Sequence, residues 1–136
     1  MTAPKKHILF VCRENACRSQ MAEAFARVHG SETVEAASAG STPRGSVDAR
    51  AKEVMAERGI NLESHRSKGL GEAGPGPWDA VVGMGCGDAC ARVPARHHAE
   101  WNIPDPAGKD LAAYRAVRDQ IEEHVKALLH QLQRDR

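Results

Sequence analysis

Residues 6–30 constrain the fold more than any other stretch of this chain. A short apolar run, Ile8-Leu9-Phe10-Val11, enters a polar segment holding Cys12, Arg13, Cys17 and Arg18, and that segment enters a stretch with helical spacing. The apolar run predicts a buried strand over residues 6–11. From Ser19 onward Met21, Ala24, Phe25 and Val28 recur on one helical face, and Gly30 ends the helix. The same alternation continues. Residues 33–38 predict a second strand, residues 40–43 a turn, and residues 47–58 a helix with Ala51, Val54 and Met55 inward, closed by Gly59. Residues 69–78 contain four glycines and two prolines and predict a loop. A third strand follows at 79–84 and a short fourth at 101–103. A long amphipathic helix at 110–133 turns Leu111, Tyr114, Val117, Ile121, Val125, Leu128 and Leu132 inward. Strands alternating with helices imply an α/β fold, a four-stranded parallel sheet with helices on both faces. The 136 residues suit one domain spanning 1–136.

In such sheets ligands bind beyond the carboxyl ends of the strands, where residues 12–18 lie. Cys12 and Arg18 bracket five residues, and a tight loop of that length can turn successive backbone N–H groups inward at a helix N-terminus, forming an anion nest. Arg18 adds a planar fork that meets two oxygens of a tetrahedral oxyanion at once. The same positive surroundings favour a thiolate. The Ser19 hydroxyl is placed to hydrogen-bond it, and Asn15 suits a left-handed loop position. Asp105, held between Pro104 and Pro106, is a candidate general acid. The formal charge of +1 gives no bias toward nucleic acid, and no apolar run is long enough to span a membrane. Four cysteines without a secretion signal argue for reduced thiols in the cytoplasm.

The segment "VCRENACRSQMAEAF" resembles the signature of low-molecular-weight protein tyrosine phosphatases and the arsenate reductases of the same fold. The resemblance runs on through "SAGSTP", "WDAVVGMGCGD", "WNIPDPAG" and "YRAVRDQI". It implies Cys12 as nucleophile and Arg18 with Arg13, Glu14, Asn15, Ala16, Cys17 and Ser19 as the oxyanion-binding loop, with Asp105 as acid. It implies either of two enzymes. A phosphatase frees its cysteine with water. A reductase needs further thiols, and "GMGCGDACARVP" offers Cys86 and Cys90 just after the third strand. Cys86 would attack Cys12, and Cys90 would attack Cys86 and carry the disulfide to an external reductant such as thioredoxin. Thioredoxin-coupled reductases of this kind space the two thiols further apart than here, although residues i and i+4 of a helix are within disulfide range.

Tyrosine phosphatases of the family place aromatics after the Asp-Pro to sandwich a phenol ring. This chain has Ala107-Gly108-Lys109 there, and only two Trp, two Phe and one Tyr in all. The reading is therefore an arsenate reductase taking arsenate or a phosphate-like oxyanion, with thioredoxin or another thiol reductant as partner. It calls for no cofactor, no metal, no nucleic acid and no membrane. A phosphatase is the alternative, and a regulatory module with a vestigial loop is the third. Cys17 is open between a packed residue and a partner for a protective disulfide with Cys12. Some arsenate reductases hold potassium at positions resembling Asn15, Glu23 and Ser38, and the resemblance sets Lys68 where a further carboxylate would stand. A zinc site at Cys86, Cys90, His97 and His98 is the weaker reading of those residues, because adjacent histidines seldom share one metal.

Overall fold

The computed structural model describes residues 4–85 and 92–134. Four parallel strands form one sheet in the order β2-β1-β3-β4. They are β1 (Lys6–Cys12), β2 (Val34–Gly40), β3 (Trp78–Met84) and β4 (Ala95–Glu100). Between and after them run α1 (Arg18–His29), α2 (Ala49–Ala56), a short 3-10 turn at Leu70–Glu72, and α3 (Leu111–Arg134).

The central strands β1 and β3 are apolar because both of their faces are covered. Ile8 and Phe10 of β1 join Ala80, Val82 and Met84 of β3 in one core with Met21 and Phe25 of α1, Val54 and Met55 of α2, and Tyr114, Ile121 and Val125 of α3. On the other face Leu9, Val11, Trp78 and Val81 pack with Leu70, Ala73 and Val93. Parallel pairing sets Cys12 opposite both Gly40 and Met84. Three carboxyl ends therefore meet at one edge of the sheet, and the loop after Cys12 lies there.

The expected fourth strand at 101–103 is one element too late. The strand is Ala95–Glu100, whose residues are exposed except for a half-buried Ala95. It has no apolar pattern because it is a sheet edge held by its ladder to β3 rather than by burial. Residues 101–103 instead lead away from the sheet, with the Trp101 N–H donating to the Gly83 carbonyl at 2.9 Å. Two helix-face expectations also shift. Val28 is 55% exposed, because α1 is buried on all sides from Arg18 to Ala26 and only its last turn, residues 27–29, emerges into solvent. In α3 the buried row passes through Leu129, with Leu128 only packed against the cluster.

Candidate active site

The loop of residues 13–17 is built by turning its carbonyls outward. The Cys12 carbonyl accepts from Ser41 N–H at 3.3 Å, Arg13 from Thr42 at 2.8 Å, Glu14 from Arg44 at 3.1 Å and Ala16 from Asp48 at 2.8 Å. Ser67 Oγ donates to the Glu14 carbonyl at 2.7 Å, and Gln20 Nε2 to that of Asn15 at 3.0 Å. Among the described residues no carbonyl accepts from the N–H groups of 13–17. Those donors carry no carbonyl partner in a loop whose Arg13, Glu14, Ala16 and Cys17 line the cleft, which is what an anion nest requires. Asn15 takes the left-handed conformation (φ 52°) and is fully buried.

Gly40 makes this packing possible. A Cβ there would lie 2.7 Å from the Arg13 carbonyl oxygen, 2.8 Å from Asn15 N and 2.9 Å from the Glu14 carbonyl carbon. The loop backbone therefore sits directly on the end of β2.

Cys12 is buried at the floor, with its Sγ 2.9 Å from Ser19 Oγ. Ser19 Oγ in turn accepts from Asn15 Nδ2 at 2.8 Å, so the hydroxyl hydrogen is available to the sulfur. The Asn15 amide is itself oriented, because Oδ1 accepts from Gln20 Nε2 and from Lys68 N–H, each at 2.9 Å. Behind it His65 Nδ1 lies 2.9 Å from Gln20 Oε1. Burial holds the His65 imidazole below its ordinary pKa, and Arg27 and Lys68 add to this against Glu23.

Arg18 is buried, donates from NH1 to the Ile103 carbonyl at 3.0 Å, and brings NH2 to 3.6 Å from Asp105 Oδ2. Gly85, with φ +79°, gives it room, since a Cβ would fall 3.0 Å from Arg18 NH1. Asp105 is about half exposed and accepts from Ala107 N–H at 3.0 Å. Burial, together with the Asp48 and Cys12 charges, pushes the Cys17 thiol well above its ordinary pKa, and Arg18 only partly opposes this. Cys17 is therefore a poor nucleophile.

These groups line one cleft of about 400 Å³, together with Arg13, Glu14, Ala16, Arg44, Asp48 and Ala107. Among the described residues no aromatic ring lines it. A thiol beneath inward N–H groups, an arginine fork and a nearby carboxyl can attack a tetrahedral oxyanion and protonate the oxygen that leaves.

The sequence-predicted residues Cys12, Arg13, Glu14, Ala16, Cys17, Arg18 and Asp105 converge here, with Asn15 and Ser19 beneath the loop. Cys86 and Cys90 lie outside the described residues. The zinc reading cannot use both histidines, because His97 and His98 are successive strand residues and project to opposite faces of the sheet. Glu23, 3% exposed, is met by Arg27 at 2.8 Å, by Lys68 at 3.8 Å and by the Ser38 hydroxyl at 2.6 Å. Two cations already stand at this carboxylate, and the Asn15 oxygen accepts two N–H donors. These residues do not fit a potassium site. Gly40, Arg44, Asp48, Ser67 and Gly85 were not foreseen. Asp48 carries a local signal, an Asp directly before a helix, whereas the others act through backbone approach or contacts distant in sequence.

The chain matches the family model for low molecular weight phosphotyrosine protein phosphatase over residues 7–136. It is 33% identical over 127 residues to a glutaredoxin arsenate reductase of Synechocystis sp., covering 91% of this chain and 96% of that one. It superposes with a TM-score of 0.85 on an arsenate reductase in the phosphate binding state, at 32% identity, covering 93% of this chain and 98% of the other. The thioredoxin-dependent arsenate reductase of Corynebacterium glutamicum aligns with a TM-score of 0.81 at 30% identity, covering all of this chain and 66% of its own. The chain belongs to the low molecular weight phosphotyrosine protein phosphatase family.

Proposed function

We propose that the protein is an arsenate reductase of the cytoplasm that ends its cycle with a disulfide between Cys86 and Cys90. The observation that carries the choice is the cleft wall. Where a phenol ring would need flanking aromatics, the lining is Arg13, Glu14, Arg44, Asp48 and Ala107. That wall suits a small inorganic oxyanion. The arsenate reductases among the relatives support the same reading.

Arsenate binds with its oxygens on the N–H groups of 13–17 and on Arg18. The Cys12 thiolate attacks arsenic, and one oxygen leaves as water with a proton from Asp105. Cys86 then attacks the Cys12 sulfur. The electron pair of the As–S bond stays on arsenic, which passes from As(V) to As(III), and arsenite departs. Cys90 attacks Cys86, returning Cys12 as thiolate, and an external dithiol reduces the Cys86–Cys90 bridge. Thioredoxin fits an internal shuttle of this kind, and a glutaredoxin with a small thiol is the competing reductant.

The test is arsenite formation from arsenate with thioredoxin, thioredoxin reductase and NADPH, run beside a glutaredoxin system with glutathione or mycothiol. Turnover with thioredoxin supports the reading. Turnover only with the small thiol moves the electrons to a different donor. No arsenite in either system, with p-nitrophenyl phosphate still hydrolysed, would return the protein to the phosphatase chemistry that names its family.

A further inference from the structure

The cleft meets its ligand almost entirely with donors, and a protonated oxyanion also needs an acceptor. Hydrogen arsenate and hydrogen phosphate carry at least one O–H at neutral pH, whereas sulfate carries none. Against inward N–H groups and the Arg18 fork, an O–H has nothing to bond. Three carboxylates line the same cleft: Glu14, Asp48 and Asp105. Glu14 is exposed, and Asp105 is about half exposed with one oxygen 3.6 Å from Arg18.

Asp48 is differently held. Its N–H donates to the Ala16 carbonyl at 2.8 Å, which ties it to the loop. Its Oδ1 accepts from Arg50 N–H at 2.8 Å as the cap of α2, and its Oδ2 accepts from the hydroxyl of Tyr114. Tyr114 is 1% exposed, and burial with the Asp48 contact pushes its phenol well above the usual range, so that it remains a donor. Each carboxylate oxygen has room for a second hydrogen bond. Asp48 also acts on Cys17 more strongly than Asp105 does, which sets its charge close to the loop. Nothing in the catalytic sequence uses it.

We propose that Asp48, fixed by Tyr114 and by the Arg50 amide, is a specificity-determining residue that makes the cleft prefer tetrahedral oxyanions bearing an O–H over sulfate. The proposal rests on the oxyanion reading of the loop and adds to it the protonation state of the ligand. Hydrogen arsenate and hydrogen phosphate give Asp48 a hydrogen. Sulfate brings four acceptor oxygens and sets one lone pair against another. A discrimination of this kind, an unpaired polar contact in a partly desolvated site, corresponds to about ten-fold or more in affinity.

The test is calorimetric binding of phosphate and of sulfate at low ionic strength near neutral pH. The proteins are the wild type, Asp48→Asn and Tyr114→Phe. Asparagine keeps the helix-cap oxygen while replacing the second acceptor by a donor. The wild type should prefer phosphate by about ten-fold or more, and Asp48→Asn should bring the two anions to within about three-fold, chiefly by gaining sulfate. Tyr114→Phe keeps the carboxylate and its tie to the Arg50 amide, so a preference retained there and lost in Asp48→Asn assigns the discrimination to the carboxylate itself. A wild type that binds both anions within about three-fold overturns the proposal without any variant, as does an Asp48→Asn protein that retains the full preference. Binding of neither anion would overturn the oxyanion reading itself, a result distinct from equal binding.

Discussion

Replacing Gly40 by alanine tests whether the anion loop is seated as described. The φ of Gly40 is not positive, so alanine brings no backbone penalty and the experiment is steric alone. The added methyl would stand 2.7, 2.8 and 2.9 Å from three backbone atoms of residues 13–15. Ordinary van der Waals contact needs about 3.5 Å or more, so the loop must retreat by more than half an ångström. None of the three is a flexible side-chain tip, and the loop is tied by its carbonyls at Thr42, Arg44 and Asp48. Overpacking of this kind costs about 1–3 kcal/mol. For a chain of this length that is a Tm lower by about 3–5 °C per kcal/mol. The functional loss should be larger than the stability loss, because displacement of reacting groups by about 1 Å costs on the order of 10²-fold. Thermal melts give the first quantity, and kcat/KM for arsenate or p-nitrophenyl phosphate gives the second. A variant whose Tm falls by less than about 1 °C, and whose kcat/KM stays within about three-fold, would show that the loop does not rest on Gly40.

Cys12→Ser should abolish arsenate reduction and any ester hydrolysis, since a hydroxyl in place of the thiolate is a far weaker nucleophile, and steady-state assays of both reactions check it. Arg18→Lys should lower kcat/KM by about 10²-fold or more, because an ammonium cannot both reach the Ile103 carbonyl and fork onto the anion; a few-fold change would remove the arginine from oxyanion binding. Cys86→Ser should stall with arsenic on Cys12, and Cys90→Ser should release one arsenite and stop with Cys12 joined to Cys86. Mass spectrometry after one turnover reads both, and normal multiple turnover by either variant would exclude the shuttle. His65, with its folded pKa lowered, binds a proton less readily than in the unfolded chain. Its contribution to stability is therefore complete above about pH 6.5 and is lost as pH falls, at no more than about 1.4 kcal/mol per pH unit. Denaturant titrations from pH 7.5 to 5 should show a shallower slope in His65→Gln.

The parts of the fold that local pattern carries were legible. β1 and β3 are apolar because both faces are covered, and α3 shows its buried row at Tyr114, Val117, Ile121 and Val125 without ambiguity. β4 was not legible. Its six residues, ARHHAE, become a strand through hydrogen bonds to β3 while their side chains face solvent, and no periodicity records a partner. Val28 marks a related limit. An apolar residue three positions after Phe25 fits a helical face in sequence, but only tertiary packing decides where that face ends.

The site divides in the same way, and the division follows from what an anion nest requires. The groups that meet the ligand, Cys12 and Arg18, sit six positions apart in one loop, and their spacing can be read directly. A nest, however, is defined as much by the carbonyls that turn away as by the N–H groups that turn in, because each outward carbonyl near the core must find a donor. Apart from Gln20, which serves the Asn15 carbonyl from nearby, those donors come from Ser41, Thr42, Arg44, Asp48 and Ser67, between 29 and 53 residues beyond the carbonyls they satisfy. Four of the five bonds are given by backbone N–H groups, which every residue except proline possesses, so the sequence carries no mark of them. What it does carry is the exception forced by space. A residue with no side chain is needed where β2 ends against the loop, so Gly40 joins Ser67 and Gln20, which donate through their side chains, among the supports of the nest whose identity, rather than backbone alone, is fixed by the geometry.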